Sequence, residues 1–544
     1  MPDRFWVGGT ATWDATAGTK WAATSGGAGG QSVPTASDDV YFDAASGAVT
    51  VTTGANVAAR SLSFAGFTGT FAGANTVTAA GSLTLGAGMT RTFTGNIALN
   101  SALTTNTITS NGIVLASQIT FLGGGKWTLQ DALSTPTGLA ILTIGTLDLN
   151  NQLLTARAFD SNNNNVRAIN FGTQGMDLQG SNQGVYVVGD LTNMTYSGTQ
   201  RVTLSAAASS GTRIFYNGNT AGGTEAKAVS VRVSAGSDTF TIANSVTNSI
   251  NDLDFTGFTG TFTSGSRTVY GSLTLGAGMT VAANTASTVF AATSGPKTIA
   301  SNGVAFDGLL TFNGVGGSWQ FSGNFVQGST RSTTLTNGTL NGNGNNITLG
   351  TFALGAGTKT LTLGSGTWTV AGSGTAWNAN TNVANLTVSP SVGIISMTSA
   401  SAKTFAGGAQ AWPTLNQGGA GALTIQQSNS FANITNSVQP ATITLTTGTT
   451  QTVAAFGVSG TAGNLITLNT STSGTRATLI NTDGTVEVSN VSIKDINATG
   501  GAIWNAFLKS GNVDAGNNSG WDFFQSVGQV FSQVFNSVFR PVFQ

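Results

Sequence analysis

The decapeptide GSLTLGAGMT runs from Gly81 to Thr90 and returns unchanged from Gly271 to Thr280. The match extends in both directions. Upstream, SLSFAGFTGTF (Ser61 to Phe71) answers DLDFTGFTGTF (Asp252 to Phe262). Downstream, the SNG at Ser110 answers the one at Ser301, and GKWTL around Trp127 answers GSWQF around Trp319. A unit of about 190 residues is therefore present twice, which points to an architecture that grows by stacking equivalent pieces.

Inside each unit the pattern has period two. In KTLTLGSGTWTV, Leu361 and Leu363 alternate with Thr, Gly364 to Gly366 turn the chain, and Trp368 and Val370 alternate again. TVEVSNVSI repeats the pattern with Val486 and Val488. Such alternation marks strands with one buried face, and Gly, Asn and Ser clusters separate them as turns. Only 8 prolines occur, and helical periodicity is not sustained before about residue 515. The fold class expected is all-β, a parallel β-helix (β-solenoid) rod from about residue 35 to 515. Leu83, Leu85, Leu273 and Leu275 should point inward, with the two decapeptides on equivalent rungs. Coils of about 20 to 25 residues, stacked about 4.8 Å apart, would give a rod on the order of 100 Å long. Ladders of Thr, Ser and Asn should hydrogen-bond up the stack.

Charged residues make up 7% of the chain, with 20 basic and 20 acidic side chains, and 40% of residues are hydrophobic. A chain of this kind folds rather than staying disordered, and it has no basic surplus to seek nucleic acid. It contains no Cys and no His. Disulfides, thiolate chemistry, imidazole bases and the usual zinc and copper ligands are all excluded, so no cofactor and no metal are expected. The start, MPDRFWVGGTATW, lacks a basic region followed by an apolar one, and no run of about 18 apolar residues occurs. Neither a conventional signal peptide nor a membrane span is expected.

Without His or Cys, a hydrolase would need paired carboxylates. The local acidic clusters are Asp38, Asp39 and Asp43 in SDDVYFD, Asp483 with Glu487, and Asp495 in IKDIN. Proximity in sequence does not place two carboxyl groups across a sugar, so no catalytic residue is assigned. SGGAGG (Ser25 to Gly30) lacks the Lys-Ser/Thr of a phosphate cradle and reads as a loop. Asp160 with its Asn run, DSNNNN, reads as a turn rather than a calcium loop. Trp6, Trp13 and Trp21 could form a sugar-stacking platform, but they suit better the plug of an open solenoid end.

Three stretches resemble, as a set, a family of repetitive β-helix proteins of tailed bacteriophages and bacterial surfaces. They are RFWVGGTATWDATAGTKWAATSGGAGGQSVPTASDDVYFD at the start, KTFAGGAQAWPTLNQGGAGALTIQQSNSF from Lys403 to Phe431, and VSIKDINATGGAIWNAFLKSGNVDAGNNSGWDF from Val491 to Phe523. The resemblance covers most of the chain to about residue 524. It implies an extended structural or adhesive role and supplies no catalytic residues.

The end, VFSQVFNSVFRPVFQ (Val530 to Gln544), lies outside that pattern. In SGWDFF, Ser519 and Asp522 stand at capping-box spacing and predict a helix start. On a helix the Val-Phe pairs fall on one stripe, which Pro541 ends. The expected docking face is Phe523, Phe524, Val527, Val530, Phe531, Val534, Phe535, Val538, Phe539, Val542 and Phe543. The layout expected is an N-terminal cap (1–45), solenoid units at 46–250 and 251–440, a terminal solenoid module (441–520) and a short C-terminal amphipathic docking helix (521–544). The function expected is a non-enzymatic structural bacteriophage fibre or appendage in the virion. It would attach to other virion proteins through the C-terminal helix, assemble as a homo-oligomer with three chains as the simplest form, and project toward a host surface glycan. The alternatives are a secreted bacterial surface adhesin and a tailspike-like glycan hydrolase.

Overall fold

The computed structural model describes residues 2–219, 223–244, 247–263, 265–283, 285–380, 382–389 and 392–524. The chain is an all-β parallel solenoid of about 21 turns. Among the described residues the helical segments are two single 3₁₀ turns, Ala44–Ser46 and Glu225–Lys227. It divides into two compact units, 1–288 and 289–544.

In the first unit the repeat is visible as repeated register. Leu83 pairs in parallel with Leu62, and Leu273 with Leu253. Thr90 lies beside Thr70, as Thr280 lies beside Thr261. The two decapeptides thus occupy equivalent rungs, and Leu83, Leu85, Leu273 and Leu275 are all buried. Each copy also folds back identically at its turn. The Gly86 N–H donates to Met89 Sδ and the Gly276 N–H to Met279 Sδ, at 3.3 and 3.1 Å. A Cβ at Gly86 would meet Phe64 O at 2.2 Å, and one at Gly276 would meet Phe255 O at 2.3 Å. Glycine is needed there because the backbone of the preceding coil passes so close.

Parallel pairing carries each strand onto the next coil, as in Trp127 beside Leu147 and Leu147 beside Ile169. Coils differ in length. Bonds that climb one coil join residues 20 apart at Asn106 and Lys126 and 27 apart at Thr362 and Ser389, and the turns absorb the difference. The expected polar ladders are present in the second unit. Thr435 Oγ1 donates to Asn416 Oδ1 at 3.2 Å, Asn416 Nδ2 to Ser396 Oγ at 2.9 Å, and Thr444 Oγ1 to Asn469 Oδ1 at 2.8 Å.

The N-terminal end of the first unit is closed by the chain's opening segment. Trp6 pairs with Trp21 antiparallel, a departure from the parallel rule that turns the segment across the first coil. Trp6, Trp13 and Trp21 are wholly buried, which rules out an exposed sugar platform. Phe42 sits at their centre, with ring centroids 5.8, 5.7 and 6.0 Å from the three indoles, and stacks on Phe64 of the next coil at 4.8 Å.

Sequence reasoning did not anticipate inward-facing cations. Arg167, Arg213, Arg267, Lys359 and Lys403 are each at most 2% exposed. They donate to main-chain carbonyls at or beside the bends between strands, which supplies the buried cations with partners. Lys403 Nζ donates to Ser399 O at 3.0 Å and Gly419 O at 3.3 Å. Arg167 donates to Asn165 O at 2.9 Å and Asp190 O at 2.6 Å. Arg267 donates to Gly265 O and lies over the Phe262 ring, 4.8 Å from its centroid. Gln417 and Gln451 serve the same purpose through their amides.

Candidate functional site

The candidate carboxylates separate into structural and solvent-facing groups. Asp38 and Asp39 are buried. Asp38 accepts from the Thr35 N–H and hydroxyl and pairs with Arg4, and Asp39 pairs with Arg60. Asp43 caps the 3₁₀ turn by accepting from the Ala45 and Ser46 N–H groups. Asp495 is buried, and the Asn517 side chain together with the Gly474 N–H holds its carboxyl below the usual range. Asp160 accepts from the Asn162 N–H, and the Asn163 and Asn165 amides bond to the coil below, so this stretch is a turn. Among the described residues no cluster of three or more metal-ligating side chains occurs. Ser25 to Gly30 is loop.

Asp483 and Glu487 differ from the rest. Both are exposed, and both line one open groove of about 330 Å³ in the second unit. Strand pairing explains the groove. Thr450–Gly457 is paired along one side with Ser430–Asn436 as far as Gly457. On its other side it meets Ala477–Ile480 only from Thr450 to Thr452. The next strand, Thr485–Glu487, pairs onward with Ile503–Asn505. The cleft lies between Ala454–Gly457 and Thr485–Glu487, two strand edges that do not pair with each other. Phe456 and Val486 lie beneath it, almost wholly buried, and Asn433, Asn481, Asp483, Thr485 and Glu487 line it. The turn is preset, because the Asp483 N–H donates to Asn481 Oδ1 at 3.1 Å and the Gly484 N–H to Asp483 Oδ1 at 2.7 Å. Glu487 Oε2 pairs with Lys509 at 3.3 Å.

The second surface is the end of the described solenoid. No helix starts at Ser519, where the sequence predicts one. Ser519 bridges in parallel to Asn497, and Trp521–Asp522 is a strand on the coil beneath, with Trp521 beside Trp504. The two indoles meet edge to face at 5.0 Å, and that burial together with strand pairing outweighs a capping box. Asp522 accepts instead from the Phe524 N–H. Of the expected docking residues, Phe523 is half-buried and Phe524 exposed. Val527, Val530, Phe531, Val534, Phe535, Val538, Phe539, Val542 and Phe543 lie outside the described residues. Sequence reasoning missed the companions of Phe524. Ile503, Phe507, Leu508 and Val513 are 41 to 58% exposed, and Phe524 is 76% exposed. Phe507 and Phe524 follow Asn505 and Asp522, which are paired, by two residues each, and each Phe N–H donates to that side chain.

These features define a parallel β-solenoid whose first unit carries an aromatic plug and whose second carries a lateral groove and, within residues 503–524, exposed apolar side chains. Neither a protein-family model, nor a curated protein, nor a solved structure matches this chain. Among the described residues no helix is long and apolar enough to cross a membrane.

Proposed function

We propose that this protein is a non-enzymatic structural fibre or appendage of a bacteriophage virion. It seats its C-terminal end in an apolar socket formed by other virion proteins and presents its solenoid to a host surface. The observation that carries the reading is the exposed apolar set Ile503, Phe507, Leu508, Val513 and Phe524, which precedes the Val-Phe sequence in the chain. Large apolar side chains left in water favour a partner, and burying each is worth about 1.5–3 kcal/mol. The fibre assembles as a closed homo-oligomer, three copies being the simplest arrangement.

Immunogold labelling tests the reading directly. Gold on purified particles supports it, whereas gold confined to bacterial cell surfaces transfers the protein to the adhesin class. Deleting 525–544, or substituting Phe507→Ser with Leu508→Asp, should leave the circular dichroism spectrum unchanged and prevent incorporation into particles. Normal incorporation of both variants would remove the docking end from the account.

A further inference from the structure

We infer that the groove between Ala454–Gly457 and Thr485–Glu487 binds a neutral, hydroxyl-rich glycan. The inference deepens the adhesive half of the fibre reading by naming the surface and the chemistry of what it holds. Three independent features converge. The first is topological. The sheet that runs through Thr450–Gly457 loses its neighbour after Thr452, and a new sheet begins at Thr485. Two strand edges therefore flank the cleft, where one unbroken sheet would have sealed it. The Ala454 carbonyl accepts from the Asn481 amide, and other main-chain groups on edges of this kind can partner ligand hydroxyls.

The second feature is the lining. Phe456 and Val486 are almost wholly buried beneath the cleft, Ala454, Ala455, Gly457 and Gly484 keep the walls low and exposed, and Asn433, Asp483, Thr485 and Glu487 supply amide and oxygen groups. A shallow cleft rich in such groups matches the hydroxyl edges of a sugar. At about 330 Å³ the groove is at the lower end of the roughly 300–1,000 Å³ typical of small-molecule sites.

The third is charge. Asp483 and Glu487 each use one carboxylate oxygen on a neighbour, the Gly484 N–H and Lys509 respectively. The other oxygen of each is left to accept from hydroxyls. Charge-assisted hydrogen bonds of this type are about twice as strong as neutral ones. A uronic or sialic acid would place its own carboxylate against Asp483, so the preference is for neutral sugars. A divalent cation is disfavoured because the described residues supply no third acidic ligand.

The test uses the purified full-length chain and isothermal titration with oligosaccharides of glucose, galactose, mannose and N-acetylglucosamine, with oligogalacturonate as the acidic comparison. Binding to at least one neutral oligosaccharide is expected. Asp483→Asn and Glu487→Gln should each weaken it by about tenfold or more, and Ala455→Trp should abolish it by filling the cleft, all three with unchanged thermal melts. No neutral binding at millimolar sugar, binding that survives Ala455→Trp, or preference for oligogalacturonate would overturn the proposal. Release of reducing ends would also overturn it, in favour of a hydrolase. Because no particle is involved, failure here leaves the fibre reading standing, and failure of particle labelling leaves the groove standing.

Discussion

Arg213 and Asp238 form a two-pronged ion pair in which neither side chain is exposed. Nε donates to Oδ2 at 2.9 Å and Nη2 to Oδ1 at 2.6 Å. The remaining guanidinium hydrogens reach the Leu204, Ala206 and Ala235 carbonyls, and the cation lies 5.5 Å from the centroid of Phe258. The pair thus ties the strand Thr212–Asn219 to a bend 25 residues further along the chain. Removing one partner leaves a buried charge unmatched, so Asp238→Ala should cost about 3–5 kcal/mol in urea unfolding, and the double change Arg213→Met with Asp238→Leu should cost less. Since the pair is shielded from solvent ions, the wild-type melting temperature should differ little between low and high salt.

Lys403 gives a pH signature. Burial pushes its ammonium from the ordinary 10.5 down to about 8. Between those values the unfolded chain holds the proton more often than the folded one, so stability rises with pH from about 8 to 10.5 and gains nothing from this group below 8. Lys403→Met should remove that rise, seen as the difference between wild-type and variant urea midpoints across the same pH range.

The N-terminal plug should be sensitive to its central ring. Phe42 touches Trp6, Trp13, Trp21, Phe64, Phe67 and Phe71. Phe42→Ala should cost about 3–5 kcal/mol. Near-ultraviolet circular dichroism should register the loss of the fixed indole arrangement.

Equivalent rungs should respond equivalently. Gly86→Ala and Gly276→Ala each push a Cβ into a carbonyl of the coil below, and each should destabilise by about 1–3 kcal/mol. Similar urea midpoints for the two variants are the expected result, and a neutral effect at either site would contradict the close approach.

Strand alternation was legible because Leu83 and Leu273 sit in unambiguous period-two surroundings, and the duplication supplied its own control. The inward cations were legible in principle. In KTF and KTL, Lys403 and Lys359 share parity with the inward Phe405 and Leu361, as Arg267 does with Val269. A charge at an inward position tends to be read as a strand boundary, because its partners are carbonyls from other coils that no local pattern displays. The groove was half legible. Asp483 and Glu487 are apparent in the sequence, but the break in pairing after Thr452 depends on which strands stack. Ser519 to Asp522 misled because a capping spacing is local, whereas the Trp504 contact that overrides it comes from the coil beneath.

The matching registers of Leu62 with Leu83 and of Leu253 with Leu273 make the coil the unit cell of a one-dimensional crystal. An insertion or deletion that spans whole cells leaves no dislocation, since every strand still finds a neighbour of the same parity. Unequal exchange between the two GSLTLGAGMT copies, which lie at the same point in their cells, removes or adds whole coils without a fault at the junction. Exchange of that kind carries Arg213 and Asp238 in or out together, because both lie between the two copies.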